Sequence, residues 1–224
     1  MMNEGIRLLK RGQYDRALQH LLNAHVDSPD YPELSYYLGL CYTHLGKHDE
    51  ALLYLEQVVA SELSFSHVYQ SRMILGYIYS VTGRYRLAEF EFRKLLDDGF
   101  DPARTHAALG FVLHAQDDLP GATKELQRAL ELDPDNGNAL NSLGFILADT
   151  GRDARKAVEY CRRALRRQPK NPAYLDSLGW AYYRLGRADE AREVLRSALE
   201  VAPGNREIAA HLREVMHGSR GART

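Results

Sequence analysis

A glycine followed by an aliphatic or aromatic side chain returns about every 34 residues along this 224-residue chain. The positions are Gly5, Gly39, Gly76, Gly110, Gly144 and Gly179, at spacings of 34, 37, 34, 34 and 35. A second marker keeps the same beat: Ala17, Ala51, Ala88, Ala122, Ala157 and Ala191 each lie twelve or thirteen residues after a glycine. Four of the units close on proline, at Pro29, Pro134, Pro169 and Pro203. A period of this length confines the chain to architectures that stack one supersecondary unit on the next.

Each unit reads as two helices and a tight turn. From Leu178 to Arg184 apolar residues recur at helical spacing until Gly186 supplies a left-handed stop. The pattern restarts over Ala188 to Val201, with Ala191, Leu195 and Ala198 on one stripe, and Pro203 ends it. The turn glycine recurs at Gly12, Gly46, Gly83 and Gly151, and Asp117 takes its place in the fourth unit, where aspartate tolerates the same backbone angles. The small residues have a mechanical purpose. A glycine on the first helix is expected to face an alanine on the second, so that the two backbones approach closely. Leu8, Tyr42, Tyr79, Leu113, Leu147 and Tyr182, with Leu21, Leu55, Phe92, Leu126, Cys161 and Leu195, then fill the space around that seam.

Composition narrows the function. With 45% hydrophobic residues there is enough apolar side chain for a core, and 29 basic against 30 acidic residues argue against a dedicated nucleic-acid binder. No apolar run is long enough to span a membrane, and the start Met1-Met2-Asn3-Glu4-Gly5 is not that of a secretory signal. A cytoplasmic location is expected; a periplasmic or lipid-anchored chain whose leader had been removed would read the same. Cys41 and Cys161 stand far apart at packing positions, as inert buried thiols would. His44 and His48 are separated by the turn at Gly46, and His106 and His114 are eight apart, so no metal site is expected. No nucleophile elbow or phosphate-cradling glycine loop occurs. The expectation is a protein that is not an enzyme, with no cofactor and no small-molecule substrate.

The pattern of Leu-Gly, a tyrosine-like position, Gly, Ala, an apolar position, Ala and Pro within one period resembles the tetratricopeptide repeat (TPR). The resemblance covers residues 1 to 217. It implies an all-α, right-handed α-solenoid of about six helix-turn-helix units in a single domain. The repeats fall near 1–30, 32–65, 69–102, 103–136, 137–171 and 172–205, with a capping helix over 205–217 and a disordered tail over 218–224. In the cap, Ile208, Leu212, Val215 and Met216 are expected to face in, and Arg206, Glu207, Arg213 and Glu214 to face out. The chain departs from the family pattern in places. Ser35, Arg72 and His106 replace the bulky residue usual four positions before the glycine. The second unit has Leu63 for the proline and three extra residues within 61–66, which predicts an altered stacking angle, and the fifth has one extra residue near Asp153.

In the proteins this chain resembles, partners are held on a concave face lined by the first helices. Transferring the family's offsets places Tyr36, Leu40 and His44 there in the second unit, and Met73 and Tyr77 in the third. Phe111 and His114 follow in the fourth, Asn141 and Phe145 in the fifth, and Asp176, Trp180, Tyr183 and Arg184 in the sixth. The residue after each glycine is thus Ile6, Leu40, Tyr77, Phe111, Phe145, Trp180. Two arrangements satisfy this pattern: rings offered to a partner, or rings packed between neighbouring helices. The first is the expectation, an aromatic strip that holds a protein or peptide ligand in the manner of a scaffold, adaptor or chaperone. Recognition of a terminal carboxylate by paired Lys and Asn is not supported, because Leu40, Tyr77 and Phe111 occupy the corresponding positions. One alternative is a self-assembling scaffold. A weaker one is a nucleic-acid-associated regulator that uses the basic run Arg152, Arg155, Lys156, Arg162, Arg163, Arg166, Arg167 and Lys170. A solvated outer face, offset by the acidic stretch over 117–136, accounts for that run more simply.

Overall fold

The structure, a computed structural model, describes residues 1–61, 64–99 and 102–221. The described residues form helices and turns, and packing divides the chain into two compact units, Met1–Phe100 and Asp101–Thr224. The first unit holds three antiparallel hairpins: α1 (Met2–Lys10) with α2 (Tyr14–Leu22), α3 (Tyr31–His44) with α4 (His48–Val59), and α5 (Phe65–Val81) with α6 (Tyr85–Asp97). The second pairs α7 (Pro102–Ala115) with α8 (Leu119–Leu132), α9 (Gly137–Asp149) with α10 (Ala154–Arg167), and α11 (Pro172–Arg184) with α12 (Ala188–Val201). It closes on α13 (Arg206–Gly221), which continues as helix through residues 218–221 of the expected tail; residues 222–224 lie outside the described residues.

Helix starts differ between the units. In the second, Asp118, Asn136, Asp153 and Asn171 accept backbone N–H bonds at 2.9–3.3 Å from the first turns of α8 to α11, and Asn205 does so from Glu207 and Ile208 of α13. Each such cap stabilises its helix by about 1 kcal/mol. None of α1 to α6 has a side-chain cap. The turns form as the sequence predicts. Asp117 takes a left-handed φ of 62°, and the next amide, of Asp118, bonds back to the Leu113 carbonyl at 2.9 Å.

The seam between paired helices joins the expected approach of glycine to the alanine backbone with a still nearer contact, a bulky side chain of the second helix. A β-carbon on Gly76 would lie 2.5 Å from the Phe92 ring, and one on Gly179 would lie 2.5 Å from Leu195 Cγ. The same holds for Gly5 with Leu21, Gly39 with Leu55, Gly110 with Leu126, and Gly144 with Cys161. Each glycine therefore makes room for a bulky side chain of the second helix. The marker alanine contributes chiefly its backbone: the carbonyls of Ala17, Ala122, Ala157 and Ala191 reach within 3.1–3.4 Å of the added carbon. All six alanines are fully buried.

The three polar departures from the family pattern share one solution. Ser35 donates to Gln57 at 3.0 Å, Arg72 to Glu91 at 2.7 Å, and His106 Nδ1 lies 2.6 Å from Glu125. Each pair ties a first helix to its own second helix, so a hydrogen bond replaces ring packing in three hairpins. The insertion in the second unit lengthens α5, which carries eleven residues before Gly76 where α3 carries eight before Gly39. Glu62 and Leu63, and the altered stacking tied to them, lie outside the described residues. The extra residue of the fifth unit widens the α9–α10 turn and supplies its Asp153 cap.

Candidate functional site

In the first unit, the predicted partner-facing residues divide by burial. Tyr36 is 5% exposed; its ring meets His67 of α5 edge-on at 4.4 Å and its hydroxyl donates to Gln70. It belongs to the packing of α3 on α5, which corrects the expectation of a free contact surface. Burial moves its hydroxyl pKa up to about 12. His44 stacks on Tyr14 of α2 at 4.2 Å, and Leu40 and Met73 are half-buried. Tyr77 is 55% exposed and stands out from α5.

The second unit shows the same gradient more sharply. Phe111 on α7 is 50% exposed, Phe145 on α9 is half-buried, and Trp180 on α11 is 5% exposed. Rings pass the contact from helix to helix: His114 meets Phe145 edge-on at 5.9 Å, Phe145 lies 6.2 Å from His211 of α13, and His211 stacks on Trp180 at 4.7 Å. The Trp180 indole donates to Asp149 of α9 at 3.3 Å; Tyr183 and the Arg184 guanidinium pack on its ring at 5.4 and 6.0 Å. Asp176 is buried with both carboxylate oxygens 2.9 Å from His211 Nδ1. Burial opposes protonation of His211, but the Asp176 hydrogen bond and charge, aided by Glu207 and Glu214, outweigh it and raise its pKa. Trp180 and Asp176 are thus structural ties to α13; Trp180 is left with little surface to offer a partner, whereas Asp176 borders the cavity between these helices.

A cavity of about 200 Å³ opens between α7, α9, α11 and the start of α13. Phe111, His114, Asn141, Phe145 and Asp176, all expected at the site, line it together with Ser142, Ala173, Ser177, Asn205, Glu207 and Ile208, none of which was. Asn141 Oδ1 is buried here without a hydrogen-bond partner, and an unpaired buried acceptor costs about 1–3 kcal/mol. The α13 residues escaped sequence reading because its glycine marker is missing. One signal was present: Asn136, Asn171 and Asn205 recur at the same point of successive units and cap α9, α11 and α13 alike. Ile208 and Val215 face in as predicted, but Met216 is 43% exposed and Glu207 reaches the cavity mouth.

Elsewhere the basic run is partly neutralised. Arg167 bonds Asp135 at 2.7 Å, and Arg163 donates to the Pro134 carbonyl at 2.6 Å, so the acidic and basic stretches meet. Cys41 and Cys161 are fully buried, and burial pushes their thiols up to about 11 and about 12. Among the described residues no helix is long and apolar enough to cross a membrane.

Comparison with known proteins agrees with this architecture. Three tetratricopeptide repeat family models match residues 2–67, 110–151 and 135–203. The TPR repeat-containing protein PA4667 of Pseudomonas aeruginosa is 41% identical over 99 residues, 44% of this chain but 17% of that protein. The chain thus spans about a sixth of that relative's length. Among solved structures, the Cut9–Hcn1 hetero-tetramer of the APC/C aligns over 93% of this chain and 40% of its own, with a TM-score of 0.79 at 18% identity. YrrB, described as a TPR protein with an unusual peptide-binding site, aligns over 90% of this chain and 97% of its own, with a TM-score of 0.52 at 20% identity. Repeat spacing, the hairpins with their glycine seams, and three matching models together make this chain a member of the tetratricopeptide repeat family.

Proposed function

We propose that the chain is a non-enzymatic interaction module that holds a peptide segment of a partner protein along the first helices of its second unit. The supporting observation is the cavity beside Phe111. An exposed ring at Phe111, a half-buried ring at Phe145 and the polar side chains of Asn141 and Glu207 meet in one concavity formed by four helices. Aromatic anchors beside polar groups are where interface energy concentrates. Helices α9, α11 and α13 are capped and packed before any ligand arrives, so binding orders little of the protein itself. The description of YrrB as peptide-binding and of Cut9 as part of an assembly accords with this reading. Tyr77 and Met73 on α5, with Leu40 and His44 on α3, are a second contact region in the first unit, and Tyr183 and Arg184 on α11 are further contacts.

The test is selection from a display library of random twelve-residue peptides on the immobilised protein. Wild type is expected to retain a family of peptides that the triple variant Tyr77→Ala, Phe111→Ala, Phe145→Ala releases. Equal retention by both proteins, or retention by neither, refutes the proposal.

A further inference from the structure

We propose that the outer faces of α4 and α6 in the first unit are a docking surface for a second copy of this chain, with α4 of each copy lying on α6 of the other. The repeat register singles these faces out. Two residues after the marker alanine, four hairpins carry Gln19, Lys124, Glu159 and Glu193, but the second and third carry Leu53 and Phe90. One residue before it, Leu87 stands where other hairpins have Arg16, Glu50, Lys156 and Glu190. Leu53, Leu87 and Phe90 are 57%, 48% and 53% exposed, so the chain's own packing leaves them largely in water. Arg84 reaches Asp49 at 3.5 Å between the starts of α6 and α4, which makes the two outer faces neighbours.

The charges name the occupant. Asp49 and Glu56 on α4 stand at the repeat positions that Arg86 and Arg93 hold on α6, and all four are exposed. Glu50 adds to the acidic half and Lys94 to the basic one. Glu56 and Arg93 also bond within the chain, to Tyr79 and Glu89, whereas Glu50, Arg86 and Lys94 have no ion-pair partner among the described residues. A face that is acidic on one helix, basic on the next and apolar on both is its own complement. A two-fold axis parallel to the helices lays α4 on α6 at equal heights, so that acid meets base at both ends and Leu53 meets Phe90 between them. A two-fold axis across the helices would set α4 on α4 and acid against acid, and an anionic surface would be repelled by the α4 half. Helices of twelve and thirteen residues are about 18–20 Å long, which gives a face at the small end of specific interfaces, so the dimer is expected at micromolar concentration.

Sedimentation equilibrium of the full chain, from low micromolar to submillimolar concentration, decides this. Wild type is expected to pass reversibly from monomer to dimer. Phe90→Glu, at an exposed position and with unchanged circular dichroism, should weaken the dimer about tenfold or more. Glu50→Arg and Arg86→Glu should each weaken it too, because every copy then sets like charges opposite one another. An equimolar mixture of those two variants should regain the dimer, since each altered side chain meets its opposite in the other protein. None of these three positions is among those proposed above to hold a peptide, so the peptide display is expected to be the same for all of them. A chain that stays monomeric throughout, or a dimer that Phe90→Glu leaves intact, overturns the proposal. A dimer whose charge variants do not recover on mixing overturns the placement of α4 on α6.

Discussion

Trp180 and His211 stack with their ring centroids 4.7 Å apart, and through this contact the last helix of the chain is tied to α11. His211 adds the Asp176 contact at 2.9 Å on the same face, so one side chain joins a ring stack and a charge-assisted hydrogen bond. Trp180→Ala is therefore expected to act on the fold. Truncating a tryptophan that is 5% exposed should cost about 3–5 kcal/mol in urea unfolding. Tyr77→Ala, at a residue 55% exposed, should change stability by less than about 0.5 kcal/mol. Comparable losses in the two variants would contradict this division of roles.

Stability should depend on pH through His211. Its pKa is raised above the ordinary 6.5 by Asp176, Glu207 and Glu214, against the opposing effect of burial. A raised histidine pKa adds stability that is complete below the unfolded value and is lost as pH rises through the folded one. The gap in stability between wild type and His211→Gln should thus be wider at pH 5.5 than at pH 8.5. Unfolding followed by the fluorescence of Trp180, the one tryptophan, measures it. A gap that does not change with pH would remove the charged His211–Asp176 pair from the account.

Glycine 76 tests the seam. Gly76→Ala places a methyl against the Phe92 ring, and the overpacking should cost about 1–3 kcal/mol despite alanine's better helix propensity. Adding Phe92→Leu should recover part of that loss. Ala122→Leu, at a fully buried site, should cost a similar amount. Neutral melts for both would mean that the helices close on some other contact.

The Arg72–Glu91 pair at 2.7 Å is nearly dry, with side chains 18% and 10% exposed. Burial pushes the Glu91 carboxyl up, and the Arg72 bond and charge only partly bring it back. Arg72→Met alone should cost about 3 kcal/mol, because Glu91 is left uncompensated. The double variant Arg72→Met, Glu91→Leu should return to wild-type stability or exceed it by about 1 kcal/mol or more. If the double variant were as damaged as the single one, the pair would be a net source of stability.

Much of the fold is legible in the sequence because the repeat writes the same physics six times. Helix periods, turn residues at Gly186 and Asp117, and the glycine–alanine beat are local or nearly local signals, and each marks an element that the structure contains. The pattern also named Leu21, Leu55, Phe92, Leu126, Cys161 and Leu195 as filling the seam; that these side chains, nearer than the alanines, press on the glycines follows from the crossing geometry of two helices, which a one-dimensional pattern does not encode.

Burial is the point at which sequence and structure part. By itself the sequence determined which face of each first helix carries the rings from Ile6 to Trp180, since that follows from helical period and repeat register. Only the tertiary structure decided which of those rings meet solvent. Trp180 is covered because α13 follows it and brings His211, whereas Phe111 stays half open beside a cavity whose fourth wall is the start of that same helix. Identical positions in a repeat are chemically equivalent along the chain but not in space, because exposure depends on the neighbour that packs alongside.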